Sequence, residues 1–499
     1  MSSFIPVLTA RLKSIADFIE IRQEYFKRLC LVILLTYFAG RLIFYAFTIN
    51  PSIPPDEITH LGIIQHFSGY ALLPPDTPQS WEFGSVTHIP YLYYFIMGKI
   101  LGLFPFHKWA LVVLRLLNAL FSFISVLFAL RLSRNVAGRK SWVPLLTVAA
   151  LTNTPMFSFL SATVNYDNLA NLCAVMALYY FTCVLLARGK SALLKGLIAI
   201  LAGILTKVTL LPLMLLLCGA LAIHYRLKKG PITIQQLKLT CIALLTQSKI
   251  LLGMNLFLLL LFMQLYGLNY LRYGRLVPQD DQVLTMEQCL RNRIYARNKI
   301  LQEFINNRLS YEQALNATNI IHHPQDKAAT LYLLNNINRW KKNPGPTMDP
   351  VNYLIVWCNL MLQGIMASGG HLTIPQSPAF SGFILLFALC VLFSAAHKWK
   401  FKTEAPVINH LVAVTIGYAA ILCAYNYQIF MSFLDFNIAV QGRYLFPVIV
   451  PVWILAWTFI SRIGLPYVKP ALGLGIVLTL FIGDFPNFLM HAGRDWYIN

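Results

Sequence analysis

The sequence predicts an all-α, polytopic membrane protein, and three observations predict it. Of 499 residues, 57% are apolar and only 12% charged, against roughly 25% charged in an ordinary soluble domain. Apolar runs of about 20 residues, the length that crosses a bilayer as a helix, recur from Leu29 almost to the C-terminus. These runs are continuously apolar, as from Ile250 to Leu265, where a membrane-spanning strand would alternate. A soluble single domain and a membrane barrel are both excluded.

The net charge of +21 (40 minus 19) would point to nucleic acid in a soluble protein. Here the cations gather in short loops between apolar runs: Arg131, Arg134, Arg139 and Lys140; Arg188, Lys190 and Lys195; Arg226, Lys228 and Lys229; Lys398, Lys400 and Lys402. Short Lys- and Arg-rich loops mark the cytoplasmic face, so the basicity reports orientation and no nucleic-acid partner is expected. The nine cysteines form no CxxC and no His-spaced cluster, which indicates neither a zinc site nor a disulfide framework. Residues 1–28 carry Arg11, Lys13, Asp17, Glu20, Arg22, Glu24, Lys27 and Arg28 without a small-residue cleavage site. They read as a cytoplasmic interfacial helix.

Placing the basic clusters inside threads the chain through about eleven spans (ten to thirteen). The first runs outward from Leu29 to Thr48. The first external loop, 49–109, is Pro-rich and polar at its start; its later part, His88 to Phe104, is apolar, but a crossing there would put the Arg131 cluster outside, so it reads as a re-entrant or surface-lying helix. Spans follow at Ala110 to Leu130, Val143 to Leu160 and Leu169 to Leu186, then two short ones either side of Lys207, and one from Ile250 to Leu268. Residues 269–350 have soluble composition, with eleven Lys or Arg and seven Asp or Glu between Asn269 and Asp349. Repeats such as Leu290, Ile294, Ile300 and Leu301 predict two or three amphipathic helices, an inserted external domain. In the C-terminal module, 351–499, Val351 to Leu372 reads as a second membrane-lying element, followed by spans at Phe383 to Ser394, Val407 to Tyr425, Tyr444 to Ile460 and Ala471 to Ile482. The C-terminus is then external.

Nineteen acids fall into this frame, three in the N-terminal segment and seven in the insertion. Of the other nine, Asp56, Glu57, Asp76, Glu82, Asp167, Asp435, Asp484 and Asp495 lie on the external side and Glu404 does not. Carboxylates gathered at one membrane surface point to a site, because holding them near lipid is costly without a role.

Asp56 and Glu57 stand in PSIPPDEITH just after the first span, with His60 one helical turn on. Pro51, Pro54 and Pro55 fix an extended approach. A carboxylate so placed suits a general base; a divalent-cation site of Asp, Glu and His, or a plain helix cap, is the alternative. Asp167 in VNYDNLANL opens a span from outside and is a catalytic candidate whose rival role is capping with Asn165. Lys207 in GILTKVTLLP and Arg443 in AVQGRYLFP form a candidate phosphate clamp, Arg as a planar fork and Lys as a point charge. Gln441, Tyr444 and Arg115 are further substrate-binding candidates, with Asp435 expected near Arg443. Gly442 has no side chain and would let a ligand approach the backbone. Arg41, inside the first span, has no evident role.

In order and spacing, PPDEITH, VNYDNLANL, LTKVTLLPL and QGRYLFPVIVP resemble the pattern of GT-C-type integral-membrane glycosyltransferases. More closely, they resemble a bacterial branch of predicted membrane proteins of unknown function in which a PDExxH and a GRYLxP element recur. The likeness spans most of the chain except Asn269 to Asp349. It implies membrane-lying helices after the first span, a polyprenyl-phosphate sugar as donor, and chemistry on the external face of a bacterial inner membrane. It also implies a carboxylate base just after the first span, matching Asp56 or Glu57, with Asp56 favoured. No cofactor is expected, a divalent cation being the exception. The implied reaction is inverting transfer to a hydroxyl of a cell-envelope glycan, lipid or protein, with Arg443, Lys207 and His60 stabilising the leaving phosphate. Rival classes are a transporter or flippase for lipid-linked sugars, for which repeated halves are expected and none is evident, and a surface-polysaccharide polymerase or ligase.

Overall fold

The structure is a computed structural model that describes residues 4–103, 107–229, 248–322, 324–343, 348–370, 372–436, 438, 440–465 and 467–498. The described residues are mostly helical, and nine helices among them are long and apolar enough to cross a membrane. Their outward faces carry bare apolar side chains such as Ile250, Phe257, Leu260 and Leu271, the surface a span presents to lipid.

The charged N-terminal segment and the first span form one helix, α1 (Phe4–Thr48). Two 12-residue helices follow, α2 (Glu57–Ser68) and α3 (Leu92–Leu103). At about 1.5 Å per residue each reaches some 18 Å, too short to cross. They occupy the region expected to lie along the membrane; Phe104, the expected end of that element, lies outside the described residues. The span α4 (His107–Ala137) leads to α5 (Val143–Thr152) and α6 (Pro155–Leu160). The expectation of one continuous span from Val143 to Leu160 is corrected here: Pro155 lacks an N–H and forces Thr154 into extended backbone, which breaks the helix.

After α7 (Asp167–Leu185), helices α8 (Ala192–Thr206) and α9 (Leu210–Lys229) meet at an extended Lys207. The side chains of Lys228 and Lys229 lie outside the described residues. The two expected spans that fall short of crossing length, α5–α6 and α8, still run between the same two ends of the bundle. At one end Arg188 Nη1 donates to Asn135 Oδ1 at 2.8 Å; at the other Lys207 Nζ meets Asp167.

Helix α10 (Lys249–Tyr273) contains a π-turn over Met263–Gly267. There Tyr266 Oη donates to the Ile204 carbonyl at 2.6 Å, satisfying an acceptor near the broken end of α8. The helix runs past Asn269, so the inserted segment begins five residues later than expected, at Gly274, where φ is +67°. Its main helices are α11 (Arg293–Ile305), α12 (Tyr311–Ala317) and α13 (Pro324–Lys342). Ser310 and Gln313 close a reciprocal cap at the start of α12. The three helices share a small core of Ile300, Leu301, Phe304, Leu334 and Ile337, completed by Phe433.

Helix α14 (Pro350–Met366), the second expected membrane-lying element, is capped by Asp349, which accepts from Val351 N at 2.9 Å. A two-residue antiparallel pair joins Ser368–Gly369 to Thr373–Ile374. Then come α15 (Pro378–Lys398), α16 (Pro406–Phe433), a 3-10 turn (Gly442–Val448) running into α17 (Ile449–Ile460), and α18 (Val468–Gly483) with its short continuation α19 (Phe485–His491).

The tail closes on the end of α1. Asn50 N donates to Trp496 O at 2.9 Å and Ile498 N to Thr48 O at 2.8 Å. The inserted segment reaches the same end, where Ser85 N donates to Asp280 Oδ1 at 3.1 Å.

Candidate active site

Prolines deliver Asp56 to the N-terminus of α2 in a left-handed conformation (φ 59°, ψ 11°), which costs a non-glycine residue about 1–3 kcal/mol and persists only where surroundings impose it. The Asp56 carbonyl takes the first helical bond, from His60 N at 2.9 Å. Its carboxylate makes no cap bond, so the plain-cap role is set aside. It turns instead to Arg443 Nη2 at 2.5 Å, with the Asp56 side chain 38% exposed and that of Arg443 only 5%. The loop is held from below by Asn165 Nδ2, which donates to Pro55 O at 3.1 Å.

Glu57 goes the opposite way. It is fully buried and accepts from Arg115 Nε at 2.9 Å, Arg115 Nη2 at 2.6 Å and Val164 N at 2.6 Å. Burial pushes its carboxyl up, and the Arg115 fork opposes that push. Arg115 spends its remaining donor on Ile49 O at 2.7 Å and Ala46 O at 3.3 Å. The pair fixes the turn between α1 and α2, and the expected substrate contact of Arg115 is replaced by an internal one.

Asp167, at the start of α7, caps nothing with its side chain; the bond expected of a cap is made by Asn165 Oδ1, which accepts from Asp167 N at 2.9 Å. The Asp167 carboxylate sits between two cations, paired with Lys207 Nζ and 3.7 Å from Arg443 Nη1. Lys207 is further enclosed by the rings of Tyr166 and Tyr444, each 4.7 Å from its ammonium, within cation–π range. Gln441 Oε1 accepts from Arg443 Nε at 2.7 Å. Asp435, expected beside Arg443, is buried. Asp56, Asp167, Lys207 and Arg443, which lie far apart in sequence, therefore form one alternating cluster.

Two expectations are corrected. A Cβ on Gly442 would come within 2.3 Å of Ile365 N and 2.4 Å of Gly364 C. Gly442 is thus small to let α14 pack against the Arg443 turn, not to admit a ligand. His60 is buried, with Nδ1 2.9 Å from Tyr94 Oη and Nε2 without a partner. Burial pulls its imidazole down to about 4, with Asp56 resisting and Arg443 adding to the shift. It is neutral near pH 7 and cannot offset a phosphate as a cation. Asp56, Glu57 and His60 point to three different partners, and among the described residues no group of three His, Cys, Asp or Glu is placed to hold a metal.

Arg41 finds its role in the bundle: Nη1 pairs with Asp484, Nη2 donates to Thr152 O at 2.7 Å, and Ser158 Oγ donates to the other Asp484 oxygen at 2.8 Å. Asp484 is therefore inside the bundle and not at its surface. Tyr94 and Tyr166 were not singled out from the sequence; aromatics within apolar runs carry no signal of their own.

Above Asp56 opens a cavity of about 1480 Å³. Asp56, Glu82, Glu287, Arg291, His322 and Asp495 are among its walls, so the first loop, the inserted segment and the tail all contribute.

No protein-family model and no curated protein sequence matches the chain. Among solved structures it is similar to the apo oligosaccharyltransferase of Archaeoglobus fulgidus, at 13% identity and a TM-score of 0.50, over 95% of this chain and 57% of that one. The chain thus spans little more than half of the oligosaccharyltransferase. A more distant likeness, to apo ArnT from Cupriavidus metallidurans, has 12% identity and a TM-score of 0.37, over 85% of this chain and 77% of that one. The likeness shows a shared fold, that of the matched 57% of the archaeal oligosaccharyltransferase.

Proposed function

We propose that this protein is an inverting glycosyltransferase that moves a sugar from a polyprenyl-phosphate donor to a hydroxyl acceptor on the external face of a bacterial inner membrane, with its N-terminus cytoplasmic. One observation carries the reading: Asp56 stands where the open cavity meets the buried cations Arg443 and Lys207. A base must reach a diffusing acceptor, while a leaving phosphate needs cations held in a water-poor pocket, and the two requirements meet at one residue.

In the proposed reaction Asp56 takes the acceptor's hydroxyl proton, the freed oxygen bonds to the anomeric carbon, and the bond from that carbon to the phosphate oxygen breaks. The electron pair leaves with polyprenyl phosphate. The Arg443 fork and the Lys207 ammonium receive the phosphate, and Asp167 acts as a positioning residue between them. Neutral His60 holds Tyr94 and carries none of the charge. The prenyl tail remains among the spans, and the acceptor enters through the cavity, whose outer wall is the inserted segment. Glu82, Glu287 and Asp495 are exposed there, which favours a neutral or cationic acceptor surface over an anionic one.

Transfer from purified polyprenyl-phosphate sugars in proteoliposomes tests this. Asp56→Asn keeps the shape and removes the base, with an expected loss of about 10²–10⁴-fold at unchanged folding. Near-normal transfer by that variant removes Asp56 from the mechanism. Movement of intact donor across the bilayer without transfer identifies a flippase instead.

A further inference from the structure

At the end of the bundle away from Asp56, two cavities adjoin. One, of about 780 Å³, is an apolar groove between α1, α5, α17 and α18, with Cys30, Leu146, Trp457, Gly473 and Leu474 among its walls and Lys469 at its edge. The other, of about 270 Å³, is bounded by Glu24, Lys27, Arg28, Arg134 and Arg139. Ser141 and Leu145 line both, so the spaces are contiguous. Arg443 and Trp457 stand on one continuous element 14 residues apart, which puts the groove about 20 Å along the bundle from the transfer site.

Lys27 is engaged, pairing with Glu24 at 2.7 Å and lying 5.3 Å over the Trp142 ring. The guanidinium groups of Arg28, Arg134 and Arg139 make no hydrogen bond or ion pair among the described residues. Glu24, on the same wall, offsets part of the charge of Arg28 and Arg134; with Lys27 and Arg139 also there the pocket keeps a surplus of positive charge that a further anion would relieve. The groove beneath is walled by helix surfaces that a bilayer bathes in acyl chains. An occupant with an anionic head and apolar chains satisfies both spaces together.

We infer that this is a binding site for an anionic glycerophospholipid, its head among Arg28, Arg134 and Arg139 and an acyl chain in the groove against Trp457 and Gly473. The phosphodiester accepts from the guanidiniums, and Lys469 at the groove edge holds a second polar group of the head. The site is independent of the transfer reaction and of the residues assigned to it.

The test uses the full chain in detergent with phosphatidylglycerol and phosphatidylcholine as probes, read by lipid retained in native mass spectrometry and by the shift of the unfolding midpoint. Phosphatidylglycerol is expected to bind at least tenfold tighter. Arg28→Gln with Arg139→Gln should weaken it about fivefold per cation removed and leave phosphatidylcholine unchanged; both arginines are exposed, so folding is retained. Gly473→Leu fills the groove and should weaken both lipids. A Cβ there meets only Trp457, at 4.0 Å, so the backbone tolerates the change. Equal binding of the two lipids, or no effect of the double arginine variant, overturns the inference. So does a polyprenyl phosphate that displaces phosphatidylglycerol and is itself released by the same substitutions, which would give the groove to the donor lipid.

Discussion

One backbone dihedral divides the adjacent acids. At φ 59° the Asp56 side chain leaves the helix and faces Arg443 and the cavity, while Glu57, the first helical residue, points inward to Arg115. Glu57→Gln should therefore act on stability, because a buried guanidinium left without its counter-charge costs about 3–5 kcal/mol. A lowered unfolding midpoint with residual transfer is expected, and an unchanged midpoint with abolished transfer would reassign the base. Arg443→Lys keeps a cation and loses the fork, so donor dependence should weaken while Ala is worse; unchanged donor dependence in the Lys variant would leave Arg443 an anchor. His60 makes a pH prediction. Its imidazole is pulled from 6.5 to about 4, so between those values the unfolded chain binds a proton that the folded one refuses. Stability therefore rises with pH across that window, by up to ~3 kcal/mol, and His60→Phe should flatten the rise in unfolding midpoints measured from pH 4.5 to 7. Asp56, Asp167, Lys207 and Arg443 were visible in the sequence because charges stand out in apolar runs. The partner of Arg115 was not, since 58 positions separate it from Glu57 and only the fold brings them together.

Helix ends, more than helix middles, place the chemistry. Lys207 sits where α8 stops and α9 starts, Asp167 opens α7, and Arg443 lies in the 3-10 turn before α17. Most span positions were legible because about 20 apolar residues leave few alternatives in lipid. The break at Thr154 and the π-turn in α10 were not, since the first is a local proline effect overriding hydropathy and the second depends on the distant Ile204 carbonyl. Tyr266→Phe should strand that carbonyl at a cost of about 1–3 kcal/mol, measurable as faster amide exchange at the end of α8. Gly442→Ala should be worse than its size suggests, because its Cβ would push α14 off the Arg443 turn. Loss of transfer with retained expression is the outcome to look for; full activity would show that α14 moves freely.

At the scale of the whole molecule, the first loop, the inserted segment and the tail share one end, and the basic loops bound by Asn135 and Arg188 lie at the other. Reporter fusions at Asn316 and at the C-terminus should both read external; a cytoplasmic signal at both would reverse the orientation. Arg41 and Asp484 tie the first span to the last across the bundle, and this has a consequence for how the protein is made. At about 5–20 residues per second the ribosome delivers Asp484 tens of seconds after Arg41. Through that interval the first span must rest in the bilayer with an unmatched guanidinium, a burden of about 2.5–3.5 kcal/mol at a helix centre. A nascent chain arrested before Asp484 is therefore expected to keep its first span loosely inserted and open to membrane proteases, until the arrival of one carboxylate secures it.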